Sequence, residues 1–269
     1  MYNYPKKLYS PLGGIGISGL GVSHVASTQV ATTISTVDYT VTRSVSLDGT
    51  DDHIIITNSV ADDIKNVGSM SIWLKLETAN QNDTIMNLHT DTSNDNKIAI
   101  LFINQGGSEV IRMNCRGGSS NTILDHSYSA SDSVSNGWTH FAATWDRTAN
   151  RMAMYLNGSS VATSTSSIAS FATTANKIYL GKPGNADNAF FQGHFSSFAL
   201  FDAVLTSGNV TTIYNDGSPN IDLTKAGISS LVAFLPLDES SGNFIDRTST
   251  GADGVPTNSP TQGTTDIPT

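Results

Sequence analysis

The chain has one cysteine, three glutamates and little charge of either sign, since only 14% of its 269 residues are Asp, Glu, Lys or Arg. A lone Cys115 excludes an internal disulfide and gives no spacing for a thiolate metal site. It falls in an alternating stretch, where it is expected as a small buried apolar residue. Glu occurs only at positions 77, 109 and 239, too far apart for the paired carboxylates that glycoside hydrolysis needs. Glu77 and Glu109 are expected at strand ends facing solvent. No run approaches the ~18 apolar residues of a membrane span. Lys6-Lys7 is followed by no apolar segment of a secretory leader, so none is expected. With a net charge of −9 and scattered cations, the chain lacks the basic footprint of a nucleic-acid binder.

Hydrophobic residues make up 38% of the chain, in runs of four to eight, the length of strands. Ser, Thr, Asn and Gly fill the spaces between, and the acids are mostly Asp, which favours turns. Strands are expected over 45–47, 53–57, 69–76, 84–88, 97–103, 109–115, 138–145, 151–156, 177–181, 193–201 and 231–237. Asn157-Gly158 marks a tight hairpin turn, because type I′ geometry needs positive φ at both central residues. Ser69-Met-Ser-Ile-Trp-Leu-Lys-Leu alternates as in a sheet with one buried face. One helix is expected over 207–215, capped by Thr206 or Ser207, with Val210, Ile213 and Tyr214 apolar and Asp216-Gly217 as the stop. Many strands and one helix point to an all-β, two-sheet antiparallel sandwich.

Residues 1–40 read as an extended N-terminal arm, 41–246 as the domain and 247–269 as an extended C-terminal tail. Both ends hold too few core formers to order themselves. Gly14-x-Gly16-x-x-Gly19 is not a dinucleotide site, since Pro11 precedes it and no helix follows.

Several segments come in the order seen in laminin-G-like domains. They are Ser46-Leu-Asp-Gly-Thr-Asp-Asp-His-Ile54, Ser69-Met-Ser-Ile-Trp-Leu74, Gly137-Trp-Thr-His-Phe-Ala-Ala-Thr-Trp145 and Tyr155-Leu-Asn-Gly158. Ile178-Tyr-Leu-Gly181 follows, then Phe201-Asp-Ala-Val-Leu-Thr206 running into Ile213-Tyr-Asn-Asp-Gly217. Together they resemble the concanavalin A-like jelly roll over residues 43–246. Leu231-Val-Ala-Phe-Leu-Pro-Leu-Asp238, Asp246 and Gly251-Ala-Asp-Gly254 resemble, more narrowly, laminin-G-like proteins encoded by marine bacteriophages. That resemblance implies a non-enzymatic virion structural protein, on a capsid or on a tail or fibre. Tyr2, Tyr4, Tyr9, Leu12, Ile15, Ile17 and Leu20 are then the residues expected to anchor it to other virion proteins or to sister subunits.

The alternative is a secreted or surface lectin-like module that binds carbohydrate. The polar loop Asn185, Asp187 and Asn188 with Phe190 has the composition for a sugar, a host-surface glycan among them. Relatives on this fold often bind calcium through Asp, Asn and carbonyl oxygens, the hard donors this ion prefers. Asp48, Asp51 and Asp52 in one turn, with Asp238, are the candidate calcium ligands. Turn capping is the competing role for these aspartates. Ser occupies the position after Gly193-His194-Phe195 where relatives often carry Asp, which weakens a transferred metal site. His140 is expected to pack beside Trp138.

Overall fold

The computed structural model describes residues 40–268, apart from 80, 91–92, 106–107, 129–133, 135–136, 185–187 and 220. The seven anchor residues between Tyr2 and Leu20 therefore lie outside the described residues, as do Asn185 and Asp187.

Among the described residues, fifteen strands form two antiparallel sheets, the two-sheet architecture that the short apolar runs predict. The eight-stranded sheet contains β1 (Ser44–Asp48), β3 (Val67–Leu76), β8 (Thr139–Asp146), β9 (Arg151–Leu156), β10 (Ser159–Ser164), β12 (Gln192–Phe201), β13 (Leu231–Leu235) and β15 (Thr261–Thr264). Their order is β10-β9-β8-β3-β12-β1-β15, with β13 paired to the far half of β12. The seven-stranded sheet runs β14-β2-β11-β4-β5-β6-β7. Its strands are β2 (His53–Ile56), β4 (Asp83–Thr90), β5 (Ser93–Gln105), β6 (Ser108–Gly117), β7 (Ser120–Ser127), β11 (Lys177–Leu180) and β14 (Gly254–Thr257). Beside the sheets lie two short helices, α1 (Val60–Ile64) and α2 (Ser207–Tyr214), and 3-10 turns at Asn215–Gly217 and Leu223–Lys225.

The core lies between the sheets. Met70, Ile72, Leu74 and Leu76 of β3 face Met86, Leu88, Ile98 and Ile100 in one buried cluster, because alternate residues of a strand share a face. Cys115 belongs to this cluster, and burial pushes its thiol up to about 12, so it stays protonated.

The expectation of one buried face for β3 is corrected by what covers the other. Ser69, Ser71 and Trp73 point away from the core, yet all are at most 4% exposed. A second cluster sits on that outer face, with Ala142, Tyr155, Ala199, Phe201 and Phe234 under Val210 and Ile213 of α2. Thr206 caps α2 through a reciprocal box: its hydroxyl accepts from Asn209 N–H at 3.1 Å, and Asn209 Oδ1 accepts from Thr206 N–H at 3.0 Å. Asn215 in the left-handed region closes the helix.

Residues 247–269, expected as a separate extended tail, supply one edge strand to each sheet. β14 pairs with β2 and β15 with β1. An edge strand adds through backbone hydrogen bonds and needs few core side chains, which is why composition hides it. Before β14, buried Asp246 accepts hydrogen bonds from Phe234, Thr248 and Ala252 N–H and from the Thr248 and Thr250 hydroxyls. Burial raises its pKa, but these donors outweigh it and hold the carboxyl below its ordinary value.

The turn after β8 also departs from expectation. Arg147, in a stretch that reads as polar loop, is 5% exposed. Its guanidinium donates to four carbonyls: Lys65 at 3.0 Å, Lys97 at 3.1 Å, Arg116 at 3.3 Å, and Ala169. Its Cζ lies 5.4 Å from the Phe171 ring centroid. Lys97 and Arg116 belong to β5 and β6, so one side chain ties the end of the eight-stranded sheet to the middle of the other. Arg147→Met should destabilise the fold by about 3 kcal/mol, because it removes four hydrogen bonds from a buried guanidinium and its contact with the Phe171 ring. Urea unfolding would measure this, and a midpoint unchanged from wild type would refute the tie.

Candidate aromatic cleft on the outer face

α2 covers one end of the outer face of the eight-stranded sheet. At the other end a cleft of about 500 Å³ opens, lined by Trp73, Trp138, Asn157, Tyr214, Asp266 and their neighbours. Trp73, from β3, is almost fully buried and forms the floor. The Tyr214 ring stacks on it, with centroids 5.8 Å apart and planes 21° apart. Beneath them His140 is fully buried, 5.4 Å from Trp73 by ring centroid, with Nε2 2.9 Å from Ser71 Oγ. Burial drives its pKa down to about 3, so it is a neutral packing residue, as the sequence suggests.

The walls come from turns. Trp138 precedes β8 and is half-buried. Asn157 occupies the β9–β10 hairpin turn with φ 46°, followed by Gly158 at φ 78°, the positive values the Asn-Gly pair implies. A Cβ on Gly158 would lie 2.8 Å from Tyr214 Cδ1, so this glycine also lets the tyrosine wall approach. Asn157 Oδ1 accepts from His140 N–H at 3.0 Å, leaving its NH2 group as the donor it can offer. Opposite, the segment after β15 brings in Asp266. Its carboxylate accepts from Lys75 Nζ at 2.5 Å and Trp138 Nε1 at 2.9 Å. Desolvation raises this carboxyl, but the Lys75 and Trp138 hydrogen bonds and the charges of Lys75 and His194 prevail, holding it below its ordinary range. The cleft thus combines partly exposed aromatic side chains with a few fixed polar groups, the usual make-up of a small-ligand site.

The glycan loop expected from composition lies elsewhere, beside the seven-stranded sheet. Asn188 is exposed. Phe190 is only 7% exposed, with its ring 6.2 Å from His53 and Lys182 Nζ 5.6 Å from its centroid. A ring so covered presents little face to a sugar. Of the residues in the cleft, Trp138 and Asn157 were visible as motif residues and Tyr214 as a helix face. Nothing local marks Asp266, which reaches the site only through the pairing of β15.

Asp48, Asp51 and Asp52 do converge, with ligand oxygens within 4.8 Å of one another, and Asp238 is not among them. Asp48 Oδ1 accepts from Thr50 and Asp51 N–H at 2.8 and 3.3 Å, and Asp52 Oδ2 from Asp48 N–H at 3.3 Å. These aspartates cap their own turn. Burial, then the Asp48 charge, pushes Asp52 up to about 6. Among the described residues no helix is long and apolar enough to cross a membrane.

Because the folded pKa of Asp52 exceeds its unfolded value, the unfolded state releases this proton first, and stability falls as pH rises from about 4 to 6. Asp52→Asn should therefore raise Tm at pH 7.5 by a few degrees, on the order of 1 kcal/mol. The gain should fade toward about pH 3.5. A gain that persists undiminished at that pH would show that the charge is not its cause.

Residues 48–211 match the concanavalin A-like lectin/glucanases superfamily. A comparison with curated protein sequences finds no match. Among solved structures, the heptameric SAP-like pentraxin of Limulus polyphemus aligns at 17% identity and TM-score 0.51, over 65% of this chain and 83% of its own. A protein of Bacteroides ovatus described as carbohydrate-binding aligns at 16% identity and TM-score 0.56, over 86% of this chain, which spans 62% of that protein. The sialidase CBM40 module of Ruminococcus gnavus bound to α2,3-sialyllactose aligns at 14% identity and TM-score 0.52, over 65% of this chain and all of its own. At these identities the likeness is one of fold. With two antiparallel sheets in place and more than half its length matched, the chain belongs to the concanavalin A-like lectin/glucanases superfamily.

Proposed function

We propose that this protein is a non-catalytic carbohydrate-binding module and that the aromatic cleft is its glycan site. One observation carries the reading: the half-exposed rings of Trp138 and Tyr214 flank a cleft whose polar groups are Asn157 and Asp266. The apolar C–H face of a pyranose packs on such rings, while hydroxyls exchange hydrogen bonds with an amide and a carboxylate. Two of the structural neighbours, from Bacteroides ovatus and Ruminococcus gnavus, are named for carbohydrate binding, which supports the same choice. Hydrolysis by two carboxylates would require a second acid across the sugar, and the described lining of the cleft carries one.

A module of this kind works where glycans are displayed, at an outer surface of a cell or of a virion. The virion role comes from the resemblance at Leu231–Gly254, its expected anchor residues Tyr2 to Leu20 lie outside the described ones, and the binding role is the one supported by described geometry. Calcium enters this reading only at Asp48, Asp51 and Asp52, where a divalent cation would offset the burial, and the Asp48 repulsion, that raise Asp52. Millimolar calcium should then raise Tm of the wild type but not of Asp52→Asn, and no shift in either would remove the metal.

The cleft itself is tested on a glycan array with the full-length protein, followed by titration of the glycans it retains. Trp138→Ala and Tyr214→Ala should each weaken binding at least about tenfold, the effect of losing one well-packed aromatic contact. Retention of no glycan, or equal binding by both variants, would sink the proposal.

A further inference from the structure

Asp266 is held in the cleft by groups that all belong to the sheet it crosses. Lys75 comes from β3, His194 from β12, and Trp138 directly precedes β8. β15 ends at Thr264, so residues 265–268 are a strap laid over this outer face from the edge strand inward. The attachments of Asp266 are the two hydrogen bonds to its carboxylate, a His194 Nε2 contact at 3.9 Å, and a Ser44 Oγ–H bond to its carbonyl at 2.5 Å. The same Nε2 of His194 lies 3.0 Å from Glu77 Oε1. An ammonium and an indole N–H therefore converge on one carboxylate beside two aromatic side chains, with the His194 imidazole 3.9 Å away and bonded to Glu77. They stand on rigid strands, and the carboxylate stands on a short segment beyond the last ladder pair.

We infer that Lys75, Trp138 and His194 form a carboxylate subsite of the cleft, that Asp266 is its displaceable internal occupant, and that the preferred ligands are glycans carrying a carboxylated sugar. This rests on the reading of the cleft as a glycan site. A tethered carboxylate competes at an effective concentration that a small free acid does not match. An incoming acid wins only if it adds stacking on Trp138 and Tyr214, as a sugar ring does. The strap thus turns a general anion contact into a filter for acidic sugars, and charge-assisted bonds from Lys75 supply the attraction. Neutral sugars leave the strap in place and meet only the rings, Asn157 and the outer edge of Asp266.

The experiment is calorimetric titration of the full-length protein, Asp266→Ser and Asp266→Asn with trigalacturonate and with neutral galactotriose. Sodium acetate serves as a carboxylate without a ring. Asp266→Ser should bind trigalacturonate at least tenfold more tightly than the wild type, and adding Lys75→Met should cancel the gain. Asp266→Asn removes the charge but keeps an acceptor for Trp138, so it guards against a folding defect and should show a smaller gain. Acetate should give no heat with the wild type. If both Asp266 variants lose trigalacturonate and galactotriose together while still folded, Asp266 is itself a sugar ligand, and the strap falls while the glycan site stands. Equal affinity of all three proteins for trigalacturonate would also overturn the strap, because it would show that Asp266 does not compete with the ligand. If no protein binds either trisaccharide and the array is also blank, both proposals fall.

Discussion

The Arg147 guanidinium is the constraint on which the sandwich depends. It is a full charge at 5% exposure whose described hydrogen bonds all go to backbone carbonyls. Burial lowers its pKa, yet an arginine stays protonated in any protein setting. The surrounding backbone must therefore supply acceptors at fixed positions, and it does so from four separate stretches. The end of α1, strands β5 and β6, and the loop before β11 are all referred to one fork of N–H groups. Trp145, two residues earlier, adds a second anchor by donating from Nε1 to the carbonyl of Ile64 at 2.7 Å. Apolar packing brings the two sheets face to face, and these directional bonds fix how they lie.

With the sheets fixed, the outer face of the eight-stranded one becomes the variable surface. Its central strands carry small and aromatic side chains there, and α2 can cover only one end. The cleft is what remains between that helix and the returning C-terminal segment. Its parts stand far apart in sequence, at 73, 138, 157, 214 and 266, and the run of ladders from β9 through β8, β3, β12 and β1 to β15 brings the strand-borne ones together. Such a site has rigid walls where the strands hold it and a softer wall where residues 265–268 hold it.

Much of this was legible in the residues. Alternation, the Asn-Gly turn and the helix stop expected at Asp216-Gly217 are local signals, and the helix closes one residue earlier, at left-handed Asn215. What stayed hidden depends on pairing across the chain. β7 and β10 are built largely of Ser, Thr and Asn, and they join as continuations of hairpins. β14 and β15 contain Pro256 and Gly263 and join only at the edges. Arg147 reads as a turn residue because nothing nearby in sequence announces four converging carbonyls. Phe190 illustrates the reverse case: a loop composition suited to sugars does not reveal that His53 and Lys182 already cover the ring. Trp138 reads as a packing neighbour of His140, and its place in the cleft depends on Asp266, which β15 brings against it.

The late strands also set a schedule. β1 and β2 are made first, yet each waits for a partner at the far end of the domain, with Ser44 and Thr264 separated by 220 positions. At about 5–20 residues per second of synthesis, that interval is on the order of 10–40 s. Through it the edges of both sheets present unpaired N–H and C=O groups, the pattern that invites pairing with another chain. A ribosome making this protein leaves β1 and β2 as edges until the same short C-terminal stretch covers both. The segment that borders the cleft is thus also the one that replaces these early edges with β14, which carries Pro256, and β15.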